Sequence, residues 1–537
     1  MKHLPVVYVR GFAGGTSGVN QQVDDPFYGF NDGSTHIRVN GDGEPQFYQF
    51  ESPLLRLMAD EGYRLLVHGD QRAYLLGHQG EPIAQNSIWI YRFYDEAATT
   101  FGAPAHRSLL GRLVHGMEDH VAAPKGFNIE IAAEKLYDFI MLIREKTGAE
   151  KVYLVAHSMG GLVARSMLQK VSQSKDADGK ARIAARDLVE RFYTYATPHG
   201  GIDFDLGALD WAMEAFGPAG ADIFAPEKMY GYLDKDGSWG DKAPDGWDPQ
   251  EVPAEILAPD RIFCLVGTDP ADYGLSREVV GPKSDGLVKI DKAYVRNANR
   301  AFVHRSHSGR YGEVNSEEGY QNLRRFLFGA YQVKVDLRGL PPHEPEPGVV
   351  WQADLRLTVR GLPVVMHEQR AEHYCPIQLD QERKQHKDKA DAPIPLTTVF
   401  LLGPDGRPDG QVPLRARYSL ALRVFHVTER HGGFVWKNHL EQVADWEDTL
   451  VVDVGRADKD PVDAMRAWIA WNSAVQGPPD RHDPITDGLP QAADHKPGDF
   501  TQDGDTLYCD VPLPAISRHI PILGDGAHLR LTVSRRD

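Results

Sequence analysis

The sequence predicts an α/β domain built on a mostly parallel sheet flanked by helices, followed by a C-terminal β-sandwich-like domain. Three observations carry this. To about residue 332, short and wholly apolar runs alternate with helical patterns, as strands buried on both faces and covered by helices do. Beyond residue 347 the pattern becomes period-two alternation broken by turn-rich stretches such as Gly403 to Gly410. A chain of 537 residues also exceeds one ordinary domain, and the proline-rich run Pro341 to Pro347 marks a break. The expected units are therefore 1–332, with an insertion at about 202–260, a linker over 333–347, and a β-rich accessory domain over 348–537.

In chain order, Pro5 to Val9 is a continuous apolar run of strand length, and Ser87 to Tyr94 is a second β-prone run. Asn128 is a helix N-cap. Behind it Ile129, Ala132, Ala133, Leu136, Ile140 and Ile143 fall at helical spacing, and Gly148 supplies the stop. Val152 to Val155 is the next strand; it ends at Ser158, and Gly160 and Gly161 then open an amphipathic helix. Glu190 to Tyr195 and Arg261 to Val266 are further strands, and Ser316 to Phe328 reads as a closing helix. In the second part Ala353, Leu355, Leu357 and Val359 share one strand face, as do Leu420, Leu422 and Val424. The stretch Pro461 to Val475 reads as helix, and the mixed-sign run Glu382 to Lys389 as a solvated loop.

Composition excludes several classes. A net charge of −17 argues against nucleic acid as a partner, because phosphate contacts need clustered Lys and Arg. The same acidity disfavours passive adsorption to an anionic membrane, leaving room only for transient contact with a lipid surface through a local apolar face. Cys264, Cys375 and Cys509 lie far apart and form neither a disulfide framework nor a metal-binding spacing. The N-terminus runs directly into a strand, with no secretory leader pattern, so a cytoplasmic location or export without a Sec signal is expected.

The chemistry-bearing stretch is Ala156-His157-Ser158-Met159-Gly160. A serine between an apolar strand and a helix sits on a tight turn that tolerates only small residues two positions either side; Ala156 and Gly160 occupy those places. The turn lifts the hydroxyl above the sheet and aims the helix N-terminus, with its free N–H groups and partial positive charge, toward it. A working nucleophile needs three more parts. The glycine-rich loop Arg10 to Thr16 is placed to supply one oxyanion N–H from Phe12, with Met159 supplying the second. Loss of one such donor typically costs about 3 kcal/mol. An acid is required after the strand ending at Val266; Asp269, Asp272 and Asp285 are candidates, and Asp285 in Ser284-Asp-Gly-Leu-Val288 is favoured. The base is His307 or His304. His304 continues the β-prone run Ala301 to Val303, whereas His307 lies in the loop beyond it and is favoured.

With Ala196-Thr-Pro-His-Gly-Gly201, these features resemble the lipase and esterase branch of the α/β-hydrolase family, in particular bacterial lipases and GPI inositol-deacylase-like hydrolases. The resemblance covers about Leu4 to Gly329. Arg10 stands where that family usually has histidine, and Ala156 where it usually has the first elbow glycine. The resemblance implies an α/β-hydrolase fold, with Asp285 as the catalytic acid and the 202–260 insertion in the cap or lid position. It implies a serine carboxylic ester hydrolase acting on lipid-like or small esters through an acyl-enzyme, with no cofactor; no metal is assigned. Arg10, His157 and Trp211 are placed to line the substrate, and His199 either to line it or to serve a structural role. Two other classes fit the same sequence: a phospholipase exported by a leaderless route, and a non-catalytic relative serving as a binding protein.

Overall fold

The computed structural model describes residues 3–11, 34–39, 45–50, 52–66, 71–91, 93, 128–176, 178–202, 222–270, 283–307, 312–342, 347–385, 392–402, 415–428, 444–455, 466–474, 501–503 and 506–536. The chain divides into two compact units, residues 1–300 with 305–323, and residues 301–304 with 324–537.

In the first unit the strands are β1 (Val6–Val9), the hairpin β2 (Ser34–Val39) and β3 (Pro45–Phe50), then β4 (Ile88–Tyr91), β5 (Val152–His157), β6 (Val189–Tyr195) and β7 (Ile262–Gly267). The hairpin forms a two-stranded sheet of its own; the other five, with β8 (Asn299–Val303), make a six-stranded sheet in the order β4-β1-β5-β6-β7-β8. The pairs β1 with β4, β1 with β5, β5 with β6 and β6 with β7 are all parallel. Their side chains are buried on both faces, which is why the runs read as continuously apolar. The chain leaves β1 for β4 on one side and later returns to β5 on the other. The carboxyl ends of β1 and β5 therefore flank a topological switch point, the place where open α/β sheets bind ligands.

The helix Ile129–Thr147 covers this sheet as its caps predict. The Asn128 side-chain oxygen accepts from the N–H groups of Glu130 and Ile131, and Gly148 ends the helix at φ 66°. Expected strands over 87–94, 190–195 and 261–266 are present with small shifts of their ends. The closing helix is Glu317–Phe328.

The second unit holds β9 (Gly329–Arg338), β10 (Val349–Val359), β11 (Val365–Gln369), β12 (Ile377–Gln378), β13 (Ile394–Leu402), β14 (Arg415–Thr428), β15 (Trp446–Gly455), β16 (Arg466–Trp471), β17 (Thr501–Asp503), β18 (Thr506–Pro512) and β19 (His528–Arg535). They form two antiparallel sheets, β11-β10-β14-β15-β16 (β12 also pairs with β10) and β13-β9-β19-β18-β17. One core, with Val333 and Val335 from β9, Leu355 from β10, Leu422 from β14, Trp471 from β16 and Leu531 from β19, joins the two, as in a sandwich.

Three sequence expectations are corrected. The segment 333–347 is not simply a linker, because β9 runs to Arg338 and pairs on both edges, with β13 and β19. The stretch Pro461 to Val475 holds strand β16 where helix was expected. Ile469 and Trp471 point inward, Ala470 is only half-buried, and the strand pairs with β15. The run at 382–389 is in part helical, within Leu379–Gln385. None of the three cysteines forms a disulfide, and all are buried. Among the described residues no helix is long and apolar enough to cross a membrane.

Candidate active site

Ser158 sits at the carboxyl end of β5 with φ 52° and ψ −129°, a backbone conformation that L-residues rarely adopt. Such a site costs on the order of 1–3 kcal/mol, and the surroundings over-determine it. The Ser158 N–H donates to the Tyr195 carbonyl at 2.9 Å. Its carbonyl accepts from the Gly161 N–H at 2.9 Å and from the Thr197 hydroxyl at 3.1 Å. The helix Met159–Gln169 starts at once.

The elbow glycines are there for close approach. A Cβ on Gly160 would stand 2.5 Å from the Val9 carbonyl oxygen, and one on Gly161 would stand 2.1 Å from the Thr197 Oγ1. The Thr-Pro-His-Gly-Gly turn thus clamps the elbow from the side, a role its motif alone did not announce. Gly11, at the head of the glycine-rich loop, also abuts the elbow: its Cβ position lies 3.0 Å from the Ser158 Cβ.

His307 and Asp285 complete a continuous hydrogen-bonded series. The His307 Nε2 is 2.9 Å from the Ser158 Oγ, and its Nδ1 is 2.9 Å from the Asp285 Oδ2. The other carboxylate oxygen of Asp285 accepts from the N–H groups of Leu287 at 2.9 Å and Val288 at 2.7 Å. The two loops are also joined through backbone, His307 N–H to Asp285 carbonyl at 2.9 Å. An acceptor-only carboxylate against Nδ1 requires the proton there, leaving Nε2 to accept from the serine hydroxyl. Asp285 and His307 are both buried, while Ser158 is partly open. Of the alternatives, Asp269 is tied through its N–H to the Arg305 carbonyl, and Asp272 lies outside the described residues. His304 is exposed, and its ring stacks on that of His373 at 3.8 Å.

The remaining expected residues divide. Met159 is the first residue of the helix, so its N–H has no intrahelical acceptor and is available beside Ser158. His157 adjoins His307: the rings are 5.4 Å apart, and its Nε2 donates to the His307 carbonyl at 3.3 Å. Burial, then the neighbouring His307, with Arg10 adding to them, hold its imidazole down to about 3. Arg10 is therefore near the elbow, itself buried. Of the two roles expected for His199, substrate lining is set aside for the structural one: it is wholly buried, with its Nε2 3.1 Å from the Thr194 Oγ1 and 3.6 Å from the Cys264 Sγ, so it braces the turn. Burial keeps it neutral. Phe12 and Trp211 lie outside the described residues.

A serine on a strained strand-to-helix turn at the switch point of a parallel sheet, with a histidine and an aspartate from later loops, defines the site class of an α/β-hydrolase-type serine hydrolase. Residues 105–216, which hold the elbow and the Thr-Pro-His-Gly-Gly turn, match the family model described as "Putative serine esterase (DUF676)". The chain is also similar to two solved structures. One is the lin2722 gene product of Listeria innocua, at 12% identity, covering 61% of this chain and 94% of that one, with a TM-score of 0.23. The other is the "putative cell surface hydrolase" from Lactobacillus plantarum WCFS1, at 12% identity, covering 61% and 92%, with a TM-score of 0.25. No curated protein matches the chain.

Proposed function

We propose that this protein is a carboxylic ester hydrolase working through Ser158, His307 and Asp285, with lipid-like esters as its substrate class. The observation that carries the reading is the unbroken series Asp285–His307–Ser158, with both hydrogen bonds at 2.9 Å. His307 takes the Ser158 proton as the oxygen attacks the ester carbonyl, and Asp285 stabilises the resulting imidazolium. The Met159 and Phe12 amides receive the oxyanion. His307 then protonates the leaving alcohol and activates the water that cleaves the acyl-enzyme. The intact constellation speaks against a non-catalytic binding role.

In the 202–260 insertion Tyr232 is buried and Trp239 half exposed, so the acyl preference rests on the substrate panel. The test is covalent labelling by a fluorophosphonate with Ser158→Ala as blank, then hydrolysis of a panel of short-chain esters, triglycerides and phospholipids. No labelling of the folded protein would remove the enzyme reading. Much faster cleavage of short esters than of long ones would reduce it to a plain esterase.

One pH dependence follows from His157. Because its imidazole stays neutral to about pH 3, His157 adds no second proton to the acid limb above about pH 4. The acid limb of log kcat/KM should fall with a slope of about one per pH unit. A slope approaching two above pH 4 would show that both histidines charge.

A further inference from the structure

Six residues beyond His307 the chain buries a carboxyl group that the reaction does not use. Glu313 is fully buried, and neither of its carboxyl oxygens has a hydrogen-bond partner among the described residues. Its backbone is part of the site: the Glu313 N–H donates to the carbonyl of Ser306, the residue before His307, at 2.9 Å.

Among the described residues, Asp285 and the two buried phenols Tyr193 and Tyr195 are close enough to Glu313 to interact with it electrostatically. Both phenol hydroxyls donate to the Gly319 carbonyl at 3.3 Å, so their protons are engaged elsewhere. Arg305, on the same loop, is paired with Glu318 at 2.9 Å. Two carboxyl groups therefore lie in one buried region, and among the described residues no cation pairs with the second. A bare buried carboxylate costs several kcal/mol, and a like charge beside it adds to that. Asp285 has three donors on its oxygens and Glu313 has none, so the single negative charge belongs on Asp285.

We propose that Glu313 is a positioning residue of the ester-hydrolysis site: a neutral carboxylic acid packed behind Asp285 that leaves the one negative charge opposite His307. The proposal rests on the Ser158–His307–Asp285 reading. Burial, reinforced by the Asp285 charge, holds the Glu313 proton well above the usual carboxylate range. In the unfolded chain the same group is an ordinary glutamate. Its contribution to stability is thus fully present below the ordinary carboxylate range and is lost as pH rises toward the folded-state value. Ionisation at the top of that window would put a second negative charge behind His307 and against the loop that carries it.

The test is Glu313→Gln in the full chain, followed by melting temperature and kcat/KM across pH. The melting temperature of the variant should gain steadily on that of the wild type from about pH 5 upward. The alkaline limb of kcat/KM should move up by about one pH unit or more. A melting difference that is flat with pH, or an alkaline limb that stays in place, overturns the proposal. If no ester is cleaved by the wild type, the ester-hydrolase reading fails while the melting series still decides the state of Glu313. Should Glu313→Gln not fold, infrared spectra decide instead. The wild type should show the carbonyl stretch of a protonated carboxyl at neutral pH, displaced in Glu313→Asp, and its absence overturns the proposal.

Discussion

Replacing His307 by alanine is expected to lower kcat by about 10⁶-fold, close to the effect of removing the nucleophile itself, because serine and base act as one unit. At 1.36 kcal/mol per decade this is roughly 8 kcal/mol of transition-state stabilisation. The size follows from the geometry: the Nε2 at 2.9 Å is the group placed to take the Ser158 proton. A residual rate of about 10³-fold over water should survive, supplied by substrate binding and the oxyanion N–H groups alone. The variant also leaves Asp285 buried, with only the Leu287 and Val288 amides on its other oxygen. Melting should therefore be recorded beside activity, to separate lost chemistry from lost fold. The control is His304→Ala, which should keep activity within about threefold, since an exposed residue away from the chemistry seldom matters more. Loss of hydrolysis in His304→Ala with retention in His307→Ala would reverse the assignment of the base.

The site was legible from the sequence wherever local chemistry dictates it. Ser158 stands out because a strand made of Val152 to Val155 must turn abruptly, and only small residues such as Ala156 and Gly160 allow it. Asp285 and His307 were harder, since each had a neighbour of the same chemistry. What separates Asp285 from Asp269 is the turn in which the Leu287 and Val288 amides fix one carboxylate oxygen and leave the other for His307. His199 was left between two roles because its place in Thr-Pro-His-Gly-Gly says it is near the elbow, not which way the ring packs. Glu313 was invisible for a related reason: an acidic residue in a loop reads as solvated until tertiary packing encloses it.

The fold divides in the same way. The caps Asn128 and Gly148 predict their helix because side-chain capping is local. The strand at 466–471 escaped because Trp468, Ile469 and Trp471 also suit a helical face, and only pairing with Trp446–Gly455 decides between the two. The strand at 329–338 escaped because the helix Glu317–Phe328 passes straight into it at Gly329, where a Cβ would meet the Arg325 carbonyl at 2.4 Å. The prolines that suggested a boundary come only after that strand has ended.

Asp285→Asn should lower kcat by about 10⁴-fold while leaving the fold intact. The amide fits the carboxylate's place, and its orientation is determined in advance. The Leu287 and Val288 N–H groups, at 2.9 and 2.7 Å, require an acceptor and so hold the amide oxygen. The amide nitrogen must then take the position of Oδ2, 2.9 Å from the His307 Nδ1, and present a donor there. Nδ1 becomes the acceptor and the ring proton moves to Nε2. In that tautomer Nε2 cannot accept from the Ser158 hydroxyl, so the base is in place but wrongly protonated. Fluorophosphonate labelling should slow by a similar factor, because it depends on the same proton transfer. Asp285→Ala should differ in one respect: with no donor imposed on Nδ1 the tautomer is free, so its kcat should not fall below that of the asparagine variant by more than its loss of fold explains. Full activity in Asp285→Asn, with melting unchanged, would mean that another carboxylate orients His307.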